Sequence, residues 1–247
     1  MKKKVSVSWS GGKDCMMALH RVMLADEFEV CSLHMVIDSD SGRVGMHGIP
    51  TELIEEQAHQ LGFKLDILKL KASNNHQAYE GLMREYYSDL EYHKVEHVVF
   101  GDIFLEDLKT YRKSLLKNFR LKPIFPLWLV DTKALITEFL NLKFKAVVCA
   151  VDATKIKKSK VGAVLDSNWI GGLSEDIDVC GENGEFHTFV FDGPIFNSPV
   201  RIKTGMVVSK DYSYLIQDHR GVQNELLKKF YFQDFELDKK LNRSSIS

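Results

Sequence analysis

The sequence predicts an α/β fold: a domain built on a parallel sheet, followed by a smaller α/β lobe. Strand-like and helix-like patterns alternate through the first half, which is typical of a parallel sheet covered by helices. From about residue 150 the pattern changes to short strands separated by glycine-rich loops. The 247 residues, 45% of them hydrophobic, are enough to bury the core of one large domain or two small ones.

A glycine-rich turn separates the first predicted strand from the first predicted helix. Residues Val5–Trp9 alternate between apolar and small polar side chains, as a short strand does. The turn that follows reads Ser10-Gly11-Gly12-Lys13-Asp14. Apolar residues then recur at helical spacing, at Met16, Leu19, Val22 and Met23.

The alternation continues along the chain. Strands are predicted at 30–37, 65–70, 97–100 and 145–151, and helices at 50–61, 79–94 and 106–117. In an open parallel sheet, ligands bind at the carboxyl ends of the strands. Ser10, Asp38 and the pair Gly101-Asp102 each follow a predicted strand, so all of them could line one crevice.

We divide the chain into three parts. Residues 1–139 form the sheet domain, and residues 140–220 form the smaller lobe, with strands at 186–191 and 200–208. Residues 221–247 carry an amphipathic segment, predicted as helical, and end in a polar tail. The apolar side chains of that segment are Leu226, Leu227, Phe230 and Tyr231.

Composition argues against several classes of protein. No stretch approaches the roughly 20 apolar residues that a membrane span needs, so no membrane partner is expected. A formal charge of −1 gives little support for a nucleic-acid surface. The widely spaced cysteines Cys15, Cys31, Cys149 and Cys180 favour reduced thiols over disulfides or zinc. Because no targeting segment is recognisable, we expect the protein in the cytoplasm.

The glycine-rich turn is suited to binding phosphate groups. Gly11 and Gly12 lack a Cβ, so their backbone amides can approach an anion closely, and the helix start adds free N–H groups. Lys13 adds a positive charge, whereas Asp14 would hold a Mg2+ ion that bridges phosphate oxygens. The spacing fits neither the Gly-x-x-x-x-Gly-Lys-Ser/Thr loop nor the Gly-x-Gly-x-x-Gly turn. A polar turn without a ligand is the alternative.

Residues Ser10–Asp14 resemble the PP-loop of the N-type ATP pyrophosphatases, which cleave ATP between its α and β phosphates. Members usually have serine next, where this chain has Cys15, whose thiol is a weaker hydrogen-bond donor than a hydroxyl. The resemblance implies a PP-loop domain of the adenine nucleotide alpha hydrolase-like type. It also implies ATP bound by Ser10, Gly11, Gly12, Lys13, Asp14 and Cys15, with the adenosine near Met35 and Mg2+ on Asp14.

Three further blocks resemble one branch, the diphthine–ammonia ligase family. They are residues 43–48 with Gln57-Ala58 and Leu61-Gly62, residues 101–103 with Glu106-Asp107 and Pro126-Leu127-Trp128, and residues 180–188 with Asp192-Gly193-Pro194. With the PP-loop, the resemblance covers residues 4–215. His47, Gly101 and Asp102 join the expected nucleotide contacts, although a single histidine in a loop has a purely structural role equally often.

The last block also carries a physical argument of its own. Glu182, Glu185 and His187 lie within six residues, among glycines and before a predicted strand. Glu185 and His187 are two positions apart, so on a strand they would face the same side. Carboxylates crowded beside an imidazole can transfer protons or bind a cation, and a solvated turn is the alternative. With Asp14, these three are the predicted catalytic residues, and the sequence does not choose which of them moves the proton.

The resemblance implies a ligase that adenylates a carboxylate and then displaces AMP with ammonia. In an archaeal or eukaryotic host the substrate would be diphthine, a modified histidine of elongation factor 2. In a bacterial host it would be another carboxylate, for example on a corrinoid. A tRNA-modifying pyrophosphatase and a nucleotide sensor without turnover stay open as alternatives. The apolar segment Phe230-Tyr231-Phe232 could pack within the chain or against a second copy, so a homo-oligomer is a further possibility.

Overall fold

The computed structural model describes residues 1–45, 47–71, 76–217 and 223–239. It confirms the α/β class and divides the strands between two sheets. Met46, from the second motif block, and the predicted tail from residue 240 lie outside the described residues, as does the side chain of Leu226.

The first half of the chain forms a mostly parallel sheet. Its strands are β1 (Lys3–Ser8), β2 (Phe28–Asp38), β3 (Arg43–Val44), β4 (Ile49–Pro50), β5 (Leu65–Leu70), β6 (His97–Val99) and β7 (Lys122–Ile124). Five of them are parallel, in the order β5-β2-β1-β6-β7. The chain moves from β1 to one side of the sheet and later returns to its other side, so the strand order switches between β1 and β6.

The antiparallel hairpin of β3 and β4 pairs with the last residues of β2. Since β5 occupies one edge of β2 there, the hairpin takes the edge that β1 leaves free after Ser8. This arrangement brings the short loop between β3 and β4, with His47, beside the end of β1.

Five helices cover this sheet: α1 (Lys13–Leu24), α2 (Thr51–Leu61), α3 (His76–Tyr92), α4 (Glu106–Leu116) and α5 (Thr132–Asn141). Val5 and Val7 of β1 share a buried cluster with α1, α2 and α5. Val98 and Phe100 share a separate buried cluster with α3 and α4. Because successive side chains of a strand point to opposite faces, Ser6 of β1 faces α3, where it contacts Tyr86.

The second half of the chain forms an antiparallel sheet. Its elements are β8 (Lys145–Asp152), the 3₁₀ helix η1 (Lys158–Lys160), α6 (Ser167–Gly171), β9 (Phe186–Asp192), β10 (Ile202–Gln217) and β11 (Gln223–Leu237). The strand order is β10-β11-β8-β9. The strands predicted at 186–191 and 200–208 are therefore present, as β9 and as part of β10.

Two predictions about local structure are wrong. The strand at 145–151, grouped with the parallel alternation, is β8 of the antiparallel sheet, because its partners are β9 and β11. The helix expected within 221–247 is instead strand β11, which pairs with β10 from Leu237 to Gln223. Of the helices in the described part of the chain, none has the length and apolar composition to cross a membrane.

Candidate functional site

A cavity of about 470 Å³ lies at the carboxyl ends of β1, β2 and β6, where the strand order switches. Residues from both sheets line it. The predicted site residues among them are Ser10, Lys13, Asp14, Cys15, Met35, His47, Gly101, Asp102, Glu182 and His187. The predicted residues Gly11, Gly12, Asp38 and Glu185 are not among the lining residues.

The PP-loop (Ser10–Asp14) is fixed in shape by strand β9 and helix α2. The carbonyl oxygen of Gly11 accepts hydrogen bonds from the N–H of Val190 at 2.9 Å and from Nε2 of Gln57 at 3.0 Å. Gln57 is fully buried and also accepts from Nε1 of Trp9 at 2.8 Å. Gly11 has φ +78°, a left-handed conformation that glycine adopts without strain.

Gly12 is required for packing as well as for the turn. A Cβ at this position would lie 2.9 Å from Cε1 of His47 and 3.2 Å from the carbonyl oxygen of Thr188. Real Cβ atoms essentially never make a contact as short as the first, so His47 and the PP-loop would have to separate. The glycine thus lets the imidazole lie directly against the loop.

Lys13 begins helix α1 and is almost completely buried. Its ammonium donates to Oδ2 of Asp14 at 2.9 Å and to the carbonyl oxygen of Cys180. Burial opposes the charge, but the carboxylates of Asp14 and Glu182 outweigh burial and raise the pKa of Lys13. The cavity therefore holds a positively charged group at the PP-loop.

Cys15 contacts the PP-loop as a neutral thiol. Its Sγ donates to the carbonyl oxygen of Gly12 at 3.1 Å and lies 3.6 Å from Oγ of Ser10. Burial raises the pKa of the thiol. The side chain thus supports the loop by a hydrogen bond that a serine hydroxyl could also make.

The segment after β6 packs directly on the start of α1. A Cβ on Gly101 would lie 2.9 Å from the carbonyl carbon of Asp14 and 2.9 Å from the backbone nitrogen of Cys15. The next residue, Asp102, is buried, with Oδ2 3.8 Å from Nε of Arg112. Burial raises the pKa of Asp102, and the charge of Arg112 opposes that rise.

Glu182 connects the antiparallel sheet to the loop after β6. Its Oε1 accepts the backbone N–H of Ile103 at 2.7 Å and that of Phe104 at 3.4 Å. Burial raises the pKa of Glu182 to about 7, and Asp14 adds to the rise, although the two N–H donors and Lys13 oppose it. A carboxyl group with this pKa can both accept and release a proton near neutral pH.

His47 and His187 lie side by side in the cavity wall, with ring centroids 4.6 Å apart. Nδ1 of His47 is 3.2 Å from the carbonyl oxygen of Thr188, which can only accept, so Nδ1 carries the hydrogen. Burial lowers the pKa of His47 to about 4. Burial also lowers the pKa of His187, and His47 and Lys13 add to that effect. Both imidazoles are therefore neutral at pH 7.

Glu185 does not line the cavity, whereas His187 does. It lies one position before strand β9, which begins at Phe186. The side chain is fully buried beneath the loop, where Oε1 accepts from the N–H of Asp178 at 3.3 Å, from Nδ2 of Asn183 at 3.1 Å and from Nζ of Lys155 at 3.4 Å. Its contacts hold the loop that carries Glu182.

The cavity also contains polar residues that our sequence analysis did not single out. Arg112 lines the wall from α4, His34 lines it from β2, and Thr188 contacts the PP-loop from β9. Thr188 belongs to the last motif block, as Gln57 behind the PP-loop belongs to the first of the three blocks, so the resemblance carried a signal for both. His34 lies in an apolar run and Arg112 in an amphipathic stretch, and neither pattern indicates a site. Their positions in the cavity depend on contacts with residues that are distant in sequence.

The acidic groups suit a metal ion that arrives with a ligand. Within the described residues, no group of three or more His, Cys, Asp or Glu side chains could hold a metal ion. Asp14 contributes one carboxylate to the cavity wall, with its side chain 31% exposed. Mg2+ commonly takes one or two protein carboxylates, while phosphates and water complete its shell. Asp14 therefore fits Mg2+ bound together with a polyphosphate.

Comparison with protein families identifies both halves of the chain. The profile of the diphthamide synthase N-terminal domain matches residues 3–123, and that of the diphthamide synthase C-terminal domain matches residues 131–222. The chain belongs to the diphthamide synthase family. The lining residues of the cavity come from both matched domains, so the cavity requires the two halves together.

Individual relatives match over part of their length. Diphthine–ammonia ligase of Bos taurus is 27% identical over 124 residues, covering 48% of this chain and 46% of the relative. The Homo sapiens protein of the same name is 28% identical over 123 residues, with the same coverage. The match thus spans about half the length of these relatives. A solved structure, the U34-tRNA thiolase NcsA of Methanococcus maripaludis with its [4Fe-4S] cluster, gives 18% identity over 57% of this chain and 58% of that one, with a TM-score of 0.37.

Proposed function

We propose that this member of the diphthamide synthase family is an ATP-dependent amide ligase. It transfers AMP from ATP to a carboxylate and then replaces AMP with ammonia, releasing AMP and pyrophosphate. The observation that carries the proposal is the single cavity in which a charged Lys13 beside the PP-loop and a Glu182 of raised pKa face the same space. One group suits a polyphosphate, and the other suits proton transfer.

The PP-loop end of the cavity would hold the pyrophosphate part of ATP. Ser10 offers a hydroxyl in the cavity wall, and Gly11 and Gly12 shape the turn behind it. Lys13 offers a positive charge, and its attraction to a phosphate is stronger in a buried site than in water. Asp14 and Cys15 complete this end of the site. When bound with ATP, Mg2+ would neutralise the charge that develops on the leaving pyrophosphate. Asp14 is the residue that would hold it.

Activation is needed because a free carboxylate is a poor electrophile. The substrate carboxylate oxygen forms a bond to the α-phosphorus as the bond to the bridging oxygen of pyrophosphate breaks. Ammonia then forms the C–N bond, and AMP leaves with the electron pair of the acyl–oxygen bond. Lys13 stabilises the departing pyrophosphate, and Gly101 and Asp102 line the same cavity.

Glu182 is the strongest candidate for the group that moves the proton. With a pKa of about 7, its carboxylate can take a proton from ammonium, or from the attacking nitrogen, at neutral pH. His187 and His47 are neutral hydrogen-bonding groups that can orient a substrate. Glu185 is a positioning residue, because it holds the loop that carries Glu182 and does not line the cavity.

For the substrate we propose diphthine on elongation factor 2, with the reaction taking place in the cytoplasm. Support comes from the name of the relatives, diphthine–ammonia ligase, and from the match to both family domains. The same chemistry on another carboxylate, such as a corrinoid side chain, is the second candidate, since the proposed roles of Lys13 and Glu182 do not depend on which carboxylate is bound. A tRNA substrate is less favoured, because the formal charge of −1 offers little attraction to a polyanion.

A product assay tests the proposal. The full chain is incubated with Mg-ATP, ¹⁵N-ammonium and elongation factor 2 arrested at diphthine, and nucleotides and the modified histidine are analysed by mass spectrometry. We expect AMP release together with incorporation of one ¹⁵N atom as an amide, and loss of both in Lys13→Met. AMP release with another carboxylate, and none with diphthine, would overturn the proposal that diphthine is the substrate. ADP as the sole nucleotide product would overturn the mechanism.

A further inference from the structure

A chain of buried hydrogen bonds crosses the core beneath the cavity and ends at His34. The hydroxyl of Tyr86 donates to Oδ2 of Asp66 at 2.9 Å. Oγ of Ser6 lies 3.0 Å from the hydroxyl oxygen of Tyr86 and 2.8 Å from Nδ1 of His34. These four residues, which we call the Asp66–His34 relay, come from β5, α3, β1 and β2.

The relay has a preferred direction because each hydroxyl carries one hydrogen. Asp66 is ionised, since hydrogen bonds from Lys64, Ser32 and Tyr86 outweigh burial and lower its pKa. Because an ionised carboxylate can only accept, the hydroxyl of Tyr86 donates its one hydrogen to Asp66. If Ser6 gives its hydrogen to Tyr86, then Nδ1 of His34 donates to Ser6, and every contact of 3.0 Å or less holds a hydrogen.

The opposite direction leaves a contact without a hydrogen. If Ser6 donated to Nδ1 of His34, the oxygens of Ser6 and Tyr86 would face each other at 3.0 Å with no hydrogen between them. The relay therefore places the imidazole hydrogen on Nδ1 and leaves Nε2 of His34 with a free lone pair. Burial and the positive charge of Arg112 lower the pKa of His34 to about 3, so the ring is neutral.

This lone pair has no protein partner in the described part of the chain, although His34 is 98% buried, with a relative exposure of 2%. His34 lines the cavity, and its lining neighbours include the apolar side chains of Met35, Met83 and Phe100. A buried acceptor without a partner is costly, so this one, at a cavity wall, calls for a donor that completes it. Apolar walls around one acceptor suit a flat base that carries an N–H donor.

We propose that Nε2 of His34 accepts a hydrogen bond from the exocyclic amino group of the nucleotide base, and so selects adenine over bases with an oxo group at that position. This inference rests on the proposed function, because it requires ATP in the cavity. The phosphates occupy the PP-loop, and the base occupies the apolar end with His34. An oxo group would direct its own lone pairs at Nε2, so inosine would lose the bond and gain repulsion.

Binding of three nucleotides to the full chain tests the proposal by calorimetry. ATP carries the amino group, purine riboside triphosphate lacks it, and inosine triphosphate replaces it with an oxo group. We expect wild type to bind ATP about tenfold more tightly than purine riboside triphosphate, and inosine triphosphate more weakly still. In His34→Phe, ATP and purine riboside triphosphate should bind within about twofold of each other.

A second variant reverses the hydrogen bond without removing the imidazole. Two hydroxyls lie within 3.2 Å of Oγ of Ser6, those of Tyr86 and Ser32. In the double variant Tyr86→Phe, Ser32→Ala both are absent, so Ser6 donates to Nδ1 and Nε2 becomes the protonated nitrogen. We expect inosine triphosphate to gain affinity relative to ATP by about tenfold. Tyr87→Phe is the matched control: this neighbouring tyrosine is also fully buried, and its hydroxyl has no partner among the described residues. Its selectivity should equal that of wild type.

Nitrogen chemical shifts supply a readout that does not depend on a ligand. In ¹⁵N-histidine-labelled protein, His34 should show a protonated Nδ1 and a bare Nε2, and the double variant Tyr86→Phe, Ser32→Ala should exchange the two. The inference is overturned if wild type binds all three nucleotides equally, if His34→Phe keeps the preference for ATP, or if Nε2 is protonated in wild type. If wild type binds none of the nucleotides, the proposed function fails with it.

Discussion

Glu182 and Ile103 are joined by a hydrogen bond of 2.7 Å, in which the backbone N–H of Ile103 donates to Oε1 of the glutamate. Glu182 precedes strand β9 of the antiparallel sheet, and Ile103 follows strand β6 of the parallel sheet. One side chain therefore both lines the cavity and fixes the two sheets relative to each other. Its ionisation should affect stability as well as catalysis.

The first prediction concerns the pH dependence of stability. The carboxyl of Glu182 has a pKa of about 7 in the folded chain against a usual value of 4.5, so the folded state binds its proton more tightly than the unfolded state. Stability should therefore fall as pH rises from about 4.5 to about 7, by up to about 3 kcal/mol from this residue. Glu182→Gln should remove that part of the fall in chemical unfolding experiments.

Glu175→Gln is the matched control, because this exposed glutamate lies on the same segment before β9. Its stability should follow wild type at every pH. Equal pH slopes for wild type and Glu182→Gln would show that Glu182 titrates as an ordinary surface carboxyl. Amide formation should be lost in Glu182→Gln and retained in Glu175→Gln, which separates the catalytic from the structural effect.

The second prediction concerns Gly101. A methyl group there would meet the backbone of Asp14 and Cys15 at 2.9 Å, and backbone atoms cannot move aside as the end of a flexible side chain can. Gly101→Ala should push the segment after β6 away from the PP-loop, lowering stability by about 1–3 kcal/mol and weakening ATP binding. Calorimetry and chemical unfolding measure the two effects.

Gly81→Ala is the matched control, since Gly81 lies within α3 and a Cβ there would meet no atom within 4 Å. That exchange should stabilise the helix by about 0.5–1 kcal/mol and leave ATP binding unchanged. Normal ATP affinity in Gly101→Ala would show that the two segments can separate without disturbing the PP-loop.

The third prediction concerns the thiol of the PP-loop. Because Cys15 is neutral and donates to the carbonyl oxygen of Gly12, a serine hydroxyl can replace it with a stronger donor. Cys15→Ser should keep stability within about 1 kcal/mol of wild type and bind ATP at least as tightly. Cys15→Val, which removes the donor, should weaken binding. A severe loss in Cys15→Ser would mean that the thiol itself is required.

The fourth prediction separates positioning from catalysis at Glu185. Glu185→Ala should lower stability by about 2–4 kcal/mol, because it leaves the N–H of Asp178 and the amide of Asn183 without their buried acceptor. Glu185→Gln retains an acceptor oxygen and should keep most of the kcat for amide formation. A folded Glu185→Gln protein without activity would place Glu185 in the chemistry itself.

Local sequence patterns predicted four of the five parallel strands in the described residues, β1, β2, β5 and β6, and part of the cavity wall, but not β7. Ser10, Gly101 and Asp102 each follow a strand, and strand ends of a parallel sheet meet at one edge. Strand β11 could not be predicted in this way. The spacing of Leu227, Phe230 and Tyr231 suits one face of a helix. The segment is a strand because it pairs with β10, and this tertiary contact is not visible in the local sequence.

The positions of buried polar residues also could not be predicted from the sequence. Arg112 is one residue of an amphipathic helix by pattern, and only the fold brings it to 3.8 Å from Asp102. Similarly, His34 stands in an apolar run, and Ser6 and Tyr86, its partners in the relay, are distant in sequence. Residue types alone do not show which polar groups will share a buried space.

The hydrogen bonds between strand β9 and the PP-loop affect how genetic data on this protein should be interpreted. Val190 and Thr188 hold the loop through Gly11 and Lys13, so the proposed nucleotide site takes its shape from the half of the chain that lacks the PP-loop. A substitution in the core of the antiparallel sheet that shifts β9 would appear in a functional screen as a defect in nucleotide affinity. Its position far from the PP-loop in the sequence would not show that the substituted residue makes no contact with the ligand. A stability measurement would separate the two cases.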